Sequence, residues 1–158
     1  MTRFESVPSE ASPLREHASK LFSQYYEFLQ ETKSCGTHLP KLDDEIATLP
    51  TAYTSRGGEV LLALVEDQPA ACIAYRATDS DPATCDIKRL FVHPEFRGHS
   101  LARTLVLEVL ARAAARNFTR AILDTDTTTM AAAHALYLAL GFREYKRQDN
   151  LTYLERDL

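Results

Sequence analysis

The stretch that decides the fold is Lys88-Arg89-Leu90-Phe91-Val92-His93-Pro94-Glu95-Phe96-Arg97-Gly98-His99-Ser100-Leu101-Ala102-Arg103. Its first part closes a strand, because Leu90, Phe91 and Val92 are bulky residues of the kind that fit a pleated sheet. His93-Pro94 ends that strand: proline donates nothing to a ladder and pushes its predecessor out of the helical region. Small and polar residues follow at Arg97-Gly98-His99-Ser100, and a helical apolar pattern begins at Leu101. The first turn of a helix presents N–H groups with no intrahelical acceptor and a partial positive charge, which makes it an anion site. Gly98, Ser100 and Ala102 keep side chains short where a phosphate would approach the backbone, and Arg97 and Arg103 add charge.

Upstream, two strand-like runs at 60–66 and 70–78 flank Asp67-Gln68-Pro69, which reads as a hairpin turn. Asp79-Ser80-Asp81-Pro82 is a second turn, so three consecutive antiparallel strands feed the anion-site helix. Nearer the N-terminus, residues 3–7 form a brief strand. Ser12-Pro13 then starts an amphipathic helix over 13–32 through Leu14, Ala18, Leu21, Phe22, Tyr25 and Leu29. A loop over 32–40, a short helix over 41–49 stopped by Pro50, and a break at Gly57-Gly58 complete that half.

Downstream, the stripe of Leu101, Leu105, Val109 and Leu110 runs to about residue 115, and residues 120–125 read as a strand. A strand, a crossover helix and a second strand place the two strands parallel. Residues 127–129 cap the next helix, with Met130, Ala133, Leu136, Tyr137 and Leu140 on its stripe and Gly141 as its stop. Residues 142–145 and 151–155 are closing strands joined by the polar Lys146-Arg147-Gln148-Asp149-Asn150. The expected architecture is α/β, in the sense of an α+β mixed sheet: largely antiparallel, with a central parallel strand pair and flanking helices, in a single domain over 1–158.

Composition narrows the function. A chain of 158 residues with 45% apolar and 25% charged residues buries a core without staples. A net charge of −4 argues against nucleic acid as partner. The three cysteines, Cys35, Cys72 and Cys85, form no CxxC pair and no metal-ligand spacing, so no metal is expected and a reducing compartment is the simplest home. No apolar run reaches membrane-spanning length and no signal segment is recognisable; no membrane association and a cytoplasmic location are the expectations. The sequence leaves monomer and homodimer open.

The stretch at 88–103 resembles motif A of the GNAT superfamily, the acyl-CoA-dependent N-acyltransferases, whose pattern is Arg/Gln-x-x-Gly-x-Gly/Ala after a strand ending in Leu-Tyr/Phe-Val. Arg97 fills the first position and Ala102 the last; Ser100 stands where the family usually has glycine. Ala133-His134-Ala135-Leu136-Tyr137-Leu138-Ala139-Leu140-Gly141-Phe142 resembles motif B, Ala-x-x-Leu-Tyr-x-x-Leu-Gly-Phe. Many members carry an asparagine seven residues before that tyrosine, where this chain has Met130. A subgroup with Glu-Met-Lys-Arg-Leu-Tyr-Val, Leu-Asp-Thr and methionine at that place is similar to this chain.

The resemblance implies a GNAT fold and acetyl-CoA, or another short acyl-CoA, as cosubstrate. It implies pantetheine contacts at the backbone of Leu90, Phe91 and Val92, an oxyanion donor at a backbone N–H near Phe91 or Val92, and a pyrophosphate site at Arg97, Gly98, His99, Ser100, Leu101, Ala102 and Arg103. Tyr137 would protonate the departing thiolate; its periodicity alone fits a core tyrosine. Asp86 is the candidate base, or a strand carboxylate paired with Lys88, and alternation over four residues puts Asp86 and Leu90 on one sheet face. A third possibility is that no dedicated base exists. Asp124, at a strand end, is a candidate for an acceptor ammonium or a turn cap, while His93 and His134 are assigned solvent or polar contacts. The expected reaction is N-acetyl transfer to a small-molecule primary amine by direct attack in a ternary complex. A peptide or protein acceptor, or a catalytically silent CoA-binding module, is the alternative. The acceptor site would involve 32–55 and 146–150, which carry no motif.

Overall fold

In the computed structural model, residues 1–33 and 39–158 are described. In chain order the elements are β1 (Thr2–Ser6), α1 (Leu14–Glu31), α2 (Leu39–Ala47), α3 (Thr51–Thr54), β2 (Glu59–Val65), β3 (Gln68–Ala77), β4 (Thr84–Val92), α4 (Leu101–Ala115), β5 (Arg120–Asp126), α5 (Ala131–Ala139), β6 (Arg143–Gln148) and β7 (Leu151–Asp157). A single 3-10 turn, Pro94–Phe96, lies between β4 and α4. The sheet has seven strands in the order β1-β2-β3-β4-β5-β7-β6, with every pair antiparallel except β4 and β5. The crossover through α4 produces that parallel pair, as the strand–helix–strand pattern requires.

Apolar residues on both sides of β2 and β3 mean that helices cover both faces of this part of the sheet. Leu61 and Ala63 point into the cluster under α4, with Leu105, Val109 and Ile87. Val60, Leu62 and Leu64 point the other way, into the cluster of Leu21 and Phe22 from α1 with Leu42 and Tyr53. Entry into β2 depends on glycine: a Cβ on Gly58 would lie 1.7 Å from the carbonyl oxygen of Tyr75. No helix among the described residues is long and apolar enough to cross a membrane.

Several boundaries differ from the sequence reading for identifiable reasons. The hairpin turns at Glu66 and Asp67, both left-handed (φ 47° and 64°), and Gln68 and Pro69 already belong to β3. A two-residue loop with both central φ positive is the turn whose twist matches the flanking strands. Thr51–Thr54 is helical after Pro50, which the stop at Pro50 concealed. Met130, not the threonine run, caps α5. The polar stretch 146–150 is largely strand, because β6 is an exposed edge that needs no apolar alternation.

Candidate active site

The parallel ladder is short. It registers Thr84, Cys85 and Asp86 with Arg120, Ala121 and Ile122, and the two strands then run on separately to Val92 and Asp126. This parting leaves the N–H and C=O groups on that side of the end of β4 without a strand partner. It also opens a wedge between the sheet halves.

The outer part of the wedge is a cleft of about 670 Å³. Leu90, Phe91 and Val92 line it from β4, and Arg97, Gly98, Ser100, Leu101, Ala102 and Arg103 from the turn and the start of α4. His99, alone among the expected cofactor residues, is not on its wall. Gly98 has φ 88° with nothing within 4 Å of a would-be Cβ, so the backbone angle, not space, calls for glycine there. Ser100 caps α4 in the left-handed region (φ 60°, ψ 22°) and its side chain makes no cap hydrogen bond. The first helical bond runs from Thr104 N to Ser100 O at 3.1 Å, which leaves the N–H groups of Leu101, Ala102 and Arg103 for an external acceptor. Arg97 is held at the mouth: its Nε donates to Val92 O at 3.1 Å and its guanidinium lies 5.6 Å from the centre of the Phe28 ring.

The inner part is a cavity of about 70 Å³ whose wall includes Tyr25, Lys88, Arg89, Asp124, Met130 and Tyr137. It shares Tyr25, Leu90, Met130 and Ala133 with the outer cleft. The Tyr137 ring packs in the core against Phe142, with centroids 5.8 Å apart. Its hydroxyl bonds to no described residue, and burial pushes its pKa above the ordinary value. The Tyr137 ring belongs to the core, and the residue also forms part of the cavity wall. Tyr25 stands at the junction, its ring 5.8 Å from Phe91. Burial pushes its phenol up to about 12, against the opposing effect of Arg89.

Asp86 is not on the wall of either space. Its Oδ2 lies 3.2 Å from Lys88 Nζ, and its carboxyl is raised by burial, with Lys88 acting against that shift. Nor do Asp86 and Leu90 share a face. The β3–β4 register slips between Cys72 and Ala74, and Arg89 sits in the left-handed region at φ 63°. This bulge inserts an extra residue and inverts the alternation beyond it. Leu90 and Val92 pack with the α4 cluster, while Arg89 is turned toward α2 and donates from Nε and Nη2 to Glu45 at 3.0 and 2.9 Å. Glu45 also accepts from the Tyr53 hydroxyl at 2.7 Å.

Tyr25, Arg89 and Glu45 were not singled out by sequence. Tyr25 is indistinguishable from its apolar neighbours on α1, and a pair 44 residues apart leaves no local mark. His93 accepts from Glu95 N at 3.2 Å, a polar contact as expected, whereas Nε2 of His134 is buried with no partner among the described residues. Among the described residues no group of histidine, cysteine and carboxylate side chains is placed to hold a metal.

Comparison with known proteins agrees with this geometry. The sequence profile described as the acetyltransferase (GNAT) family matches residues 18–142. An uncharacterized N-acetyltransferase of Schizosaccharomyces pombe is 34% identical over 74% of this chain and 71% of its own length. The N-acetylaspartate synthetase of Mus musculus is 32% identical over 69% of this chain, a match spanning only 36% of the synthetase. In fold, the chain resembles an N-acetyltransferase from Thermoplasma acidophilum solved with coenzyme A, at TM-score 0.79 and 12% identity over 100% of this chain and 99% of that one. It equally resembles an acetyltransferase from Streptococcus agalactiae, at TM-score 0.78 and 22% identity, covering 99% and 98%. A profile match over most of the chain, together with a relative 34% identical over 74% of it, shows that the protein belongs to the GNAT family and is an acetyl-CoA-dependent N-acetyltransferase.

Proposed function

We propose that the protein acetylates the primary amine of a small molecule by direct attack on acetyl-CoA. The observation that carries this reading is the placement of Tyr137 and Asp124 on one small cavity that adjoins the cofactor-sized cleft. Acetyl-CoA supplies the activated thioester. Backbone N–H groups at the start of α4, with Arg97 and Arg103, receive the pyrophosphate, and the unpaired edge of β4 at Leu90, Phe91 and Val92 receives the pantetheine amides. The same strand edge offers an N–H to the oxyanion that forms as the amine nitrogen attacks.

As the carbon–sulfur bond breaks, Tyr137 gives its phenolic proton to the departing sulfur. A raised pKa keeps that proton in place at neutral pH. Asp124 orients the acceptor as an ammonium, which sheds one proton to solvent before its nitrogen attacks; the second proton, lost from nitrogen as the carbon–sulfur bond breaks, returns to Tyr137 through water. Asp86, behind Lys88, is set back from the reacting atoms. N-acetylaspartate synthetases among the relatives favour a small acceptor over a protein one.

The test is Tyr137→Phe, which keeps the ring and almost all its volume, so core packing is preserved. Turnover should fall by about 10²-fold with CoA affinity unchanged, since an acid–base group acts in the transition state. Equal turnover of the two proteins, with chemistry limiting the rate, would remove Tyr137 from the reaction.

A further inference from the structure

A guanidinium carries five N–H donors and no acceptor, so a buried arginine needs several oxygens around it. Arg89 is only 7% exposed. Its Nε and Nη2 are both spent on Glu45, and no described residue accepts from Nη1. The bulge that places this side chain holds a non-glycine residue at φ 63°, a conformation that persists only where the surroundings enforce it. Burial disfavours the charge on Arg89, but the bond to Glu45, together with the charges of Tyr53, Glu45 and Tyr25 around it, more than restores it. The residue is therefore a fixed cation with one unspent edge, and it forms part of the wall of the inner cavity.

The rest of that wall has a direction. On the β4 side stand Lys88 and Arg89, and on the β5 side Asp124 and Asp126. Asp126 is committed to its own turn, where its Oδ1 accepts from the backbone N and the hydroxyl of Thr128 at 3.0 and 2.6 Å. Lys88 is paired with Asp86, so the cation left on the wall across from Asp124 is Arg89. A ligand matched to this wall carries both signs on one short skeleton. At about 70 Å³ the cavity admits only a few heavy atoms, given that one water needs about 10–15 Å³ of such space.

We infer that the acceptor is a free amino acid or a close analogue, whose carboxylate is held by Nη1 of Arg89 while its amine faces Asp124. This rests on the small-amine reading above and narrows it. With Nε and Nη2 held by Glu45, Nη1 keeps a fixed direction that the rotatable ammonium of a lysine would not. A lysine side chain in a protein carries no carboxylate beside its amine, and neither does a peptide N-terminus, so both would leave Nη1 unmet.

The experiment pairs aliphatic and acidic α-amino acids with the amines that lack only the carboxylate. Turnover is followed by release of the CoA thiol, and binding of each ligand to the protein saturated with CoA is followed by calorimetry. The preferred amino acid should exceed its decarboxylated partner by about 10- to 100-fold in kcat/KM, the range for one hydrogen bond to a charged group. In Arg89→Lys, that ratio should collapse toward one. Should this variant fail to fold, the wild-type ratio alone decides. Turnover of amines with no carboxylate preference would overturn the inference and leave the small-amine reading intact. Carboxylate-dependent binding without any acetyl transfer would sustain the subsite and overturn that reading instead. If no amino acid binds or reacts, the site for it does not exist and the unspent edge of Arg89 faces water.

Discussion

Ser100→Gly is a perturbation whose sign follows directly from the backbone. Ser100 holds φ 60° and ψ 22° at the cap of α4. A left-handed conformation costs an L-residue about 1–2 kcal/mol, and glycine nothing. The exchange also frees the unfolded chain, which takes back about 0.4–1 kcal/mol. No cap bond is lost, because the hydroxyl makes none. The balance is a gain of about 0.5–1 kcal/mol, or a rise in Tm of about 1–4 °C for a domain of this size.

Thermal melts of the two proteins read that shift, and calorimetry with CoA reads its functional side. CoA affinity should be unchanged or tighter, since the phosphate-facing N–H remains and the turn is relaxed. A lower Tm would refute the claim that Ser100 is strained. A CoA affinity weakened tenfold would mean that the hydroxyl itself bonds a phosphate.

Other perturbations read other parts of the structure. Gly58→Ala drives a Cβ to 1.7 Å from Tyr75 O and 2.8 Å from Arg76 Cα, both backbone. It should destabilise by about 3 kcal/mol or more, at or above the upper end of ordinary overpacking, and a denaturant midpoint equal to that of the parent would contradict the contact. Glu45 is raised by burial but lowered further by Arg89 and Tyr53, so its folded pKa lies below the ordinary 4.5. Its contribution is therefore complete above that pH and is lost as pH falls through the folded value. Glu45→Gln should unfold more easily at pH 7, by about 3 kcal/mol, and show a flatter stability profile below pH 4.5; parallel profiles would count against the pair. Asp124→Asn should raise the KM for the acceptor at least about tenfold, the value of one charged hydrogen bond, while Asp86→Asn leaves it within a few-fold. The reverse order would restore Asp86 as the group that handles the amine.

The fold was legible wherever a local signal carried it. The turn at 97–100 and the stripe from Leu101 mark the start of α4, and the crossover rule yields the parallel pair. The outer cleft followed for the same reason: a strand end and a helix start adjacent in sequence are adjacent in space. The inner cavity did not follow, because its walls come from α1, β4, β5 and α5, which only the tertiary fold brings together. Tyr25 shares the helical spacing of Leu21, Phe22 and Leu29, and nothing in that spacing distinguishes a residue facing a cavity from one facing a core. Asp86 illustrates the opposite failure. Strict alternation breaks at the bulge, where Arg89 takes a positive φ, and arginine has no sequence preference for that conformation.

That bulge ties the two halves of the site together. One inserted residue does two things that a regular strand could not do at once. Beyond it, Leu90 and Val92 turn to the α4 side and line the cleft, with Phe91 between them meeting Tyr25 and Phe28 of α1. At it, Arg89 swings toward α2, where Glu45, Tyr53 and Arg76 converge; the Arg76 guanidinium lies 5.0 Å from the centre of the Tyr53 ring. The strand edge at Leu90, Phe91 and Val92 is thus braced from α2. A change in how α2 sits would be felt at the backbone of Leu90 through the Glu45–Arg89 pair before it reached any cofactor contact. The expected signature in Glu45→Gln is therefore a loss in kcat larger than the loss in CoA affinity. If CoA binding weakened while kcat stayed constant, the pair would be bracing the cleft alone and not the geometry of transfer.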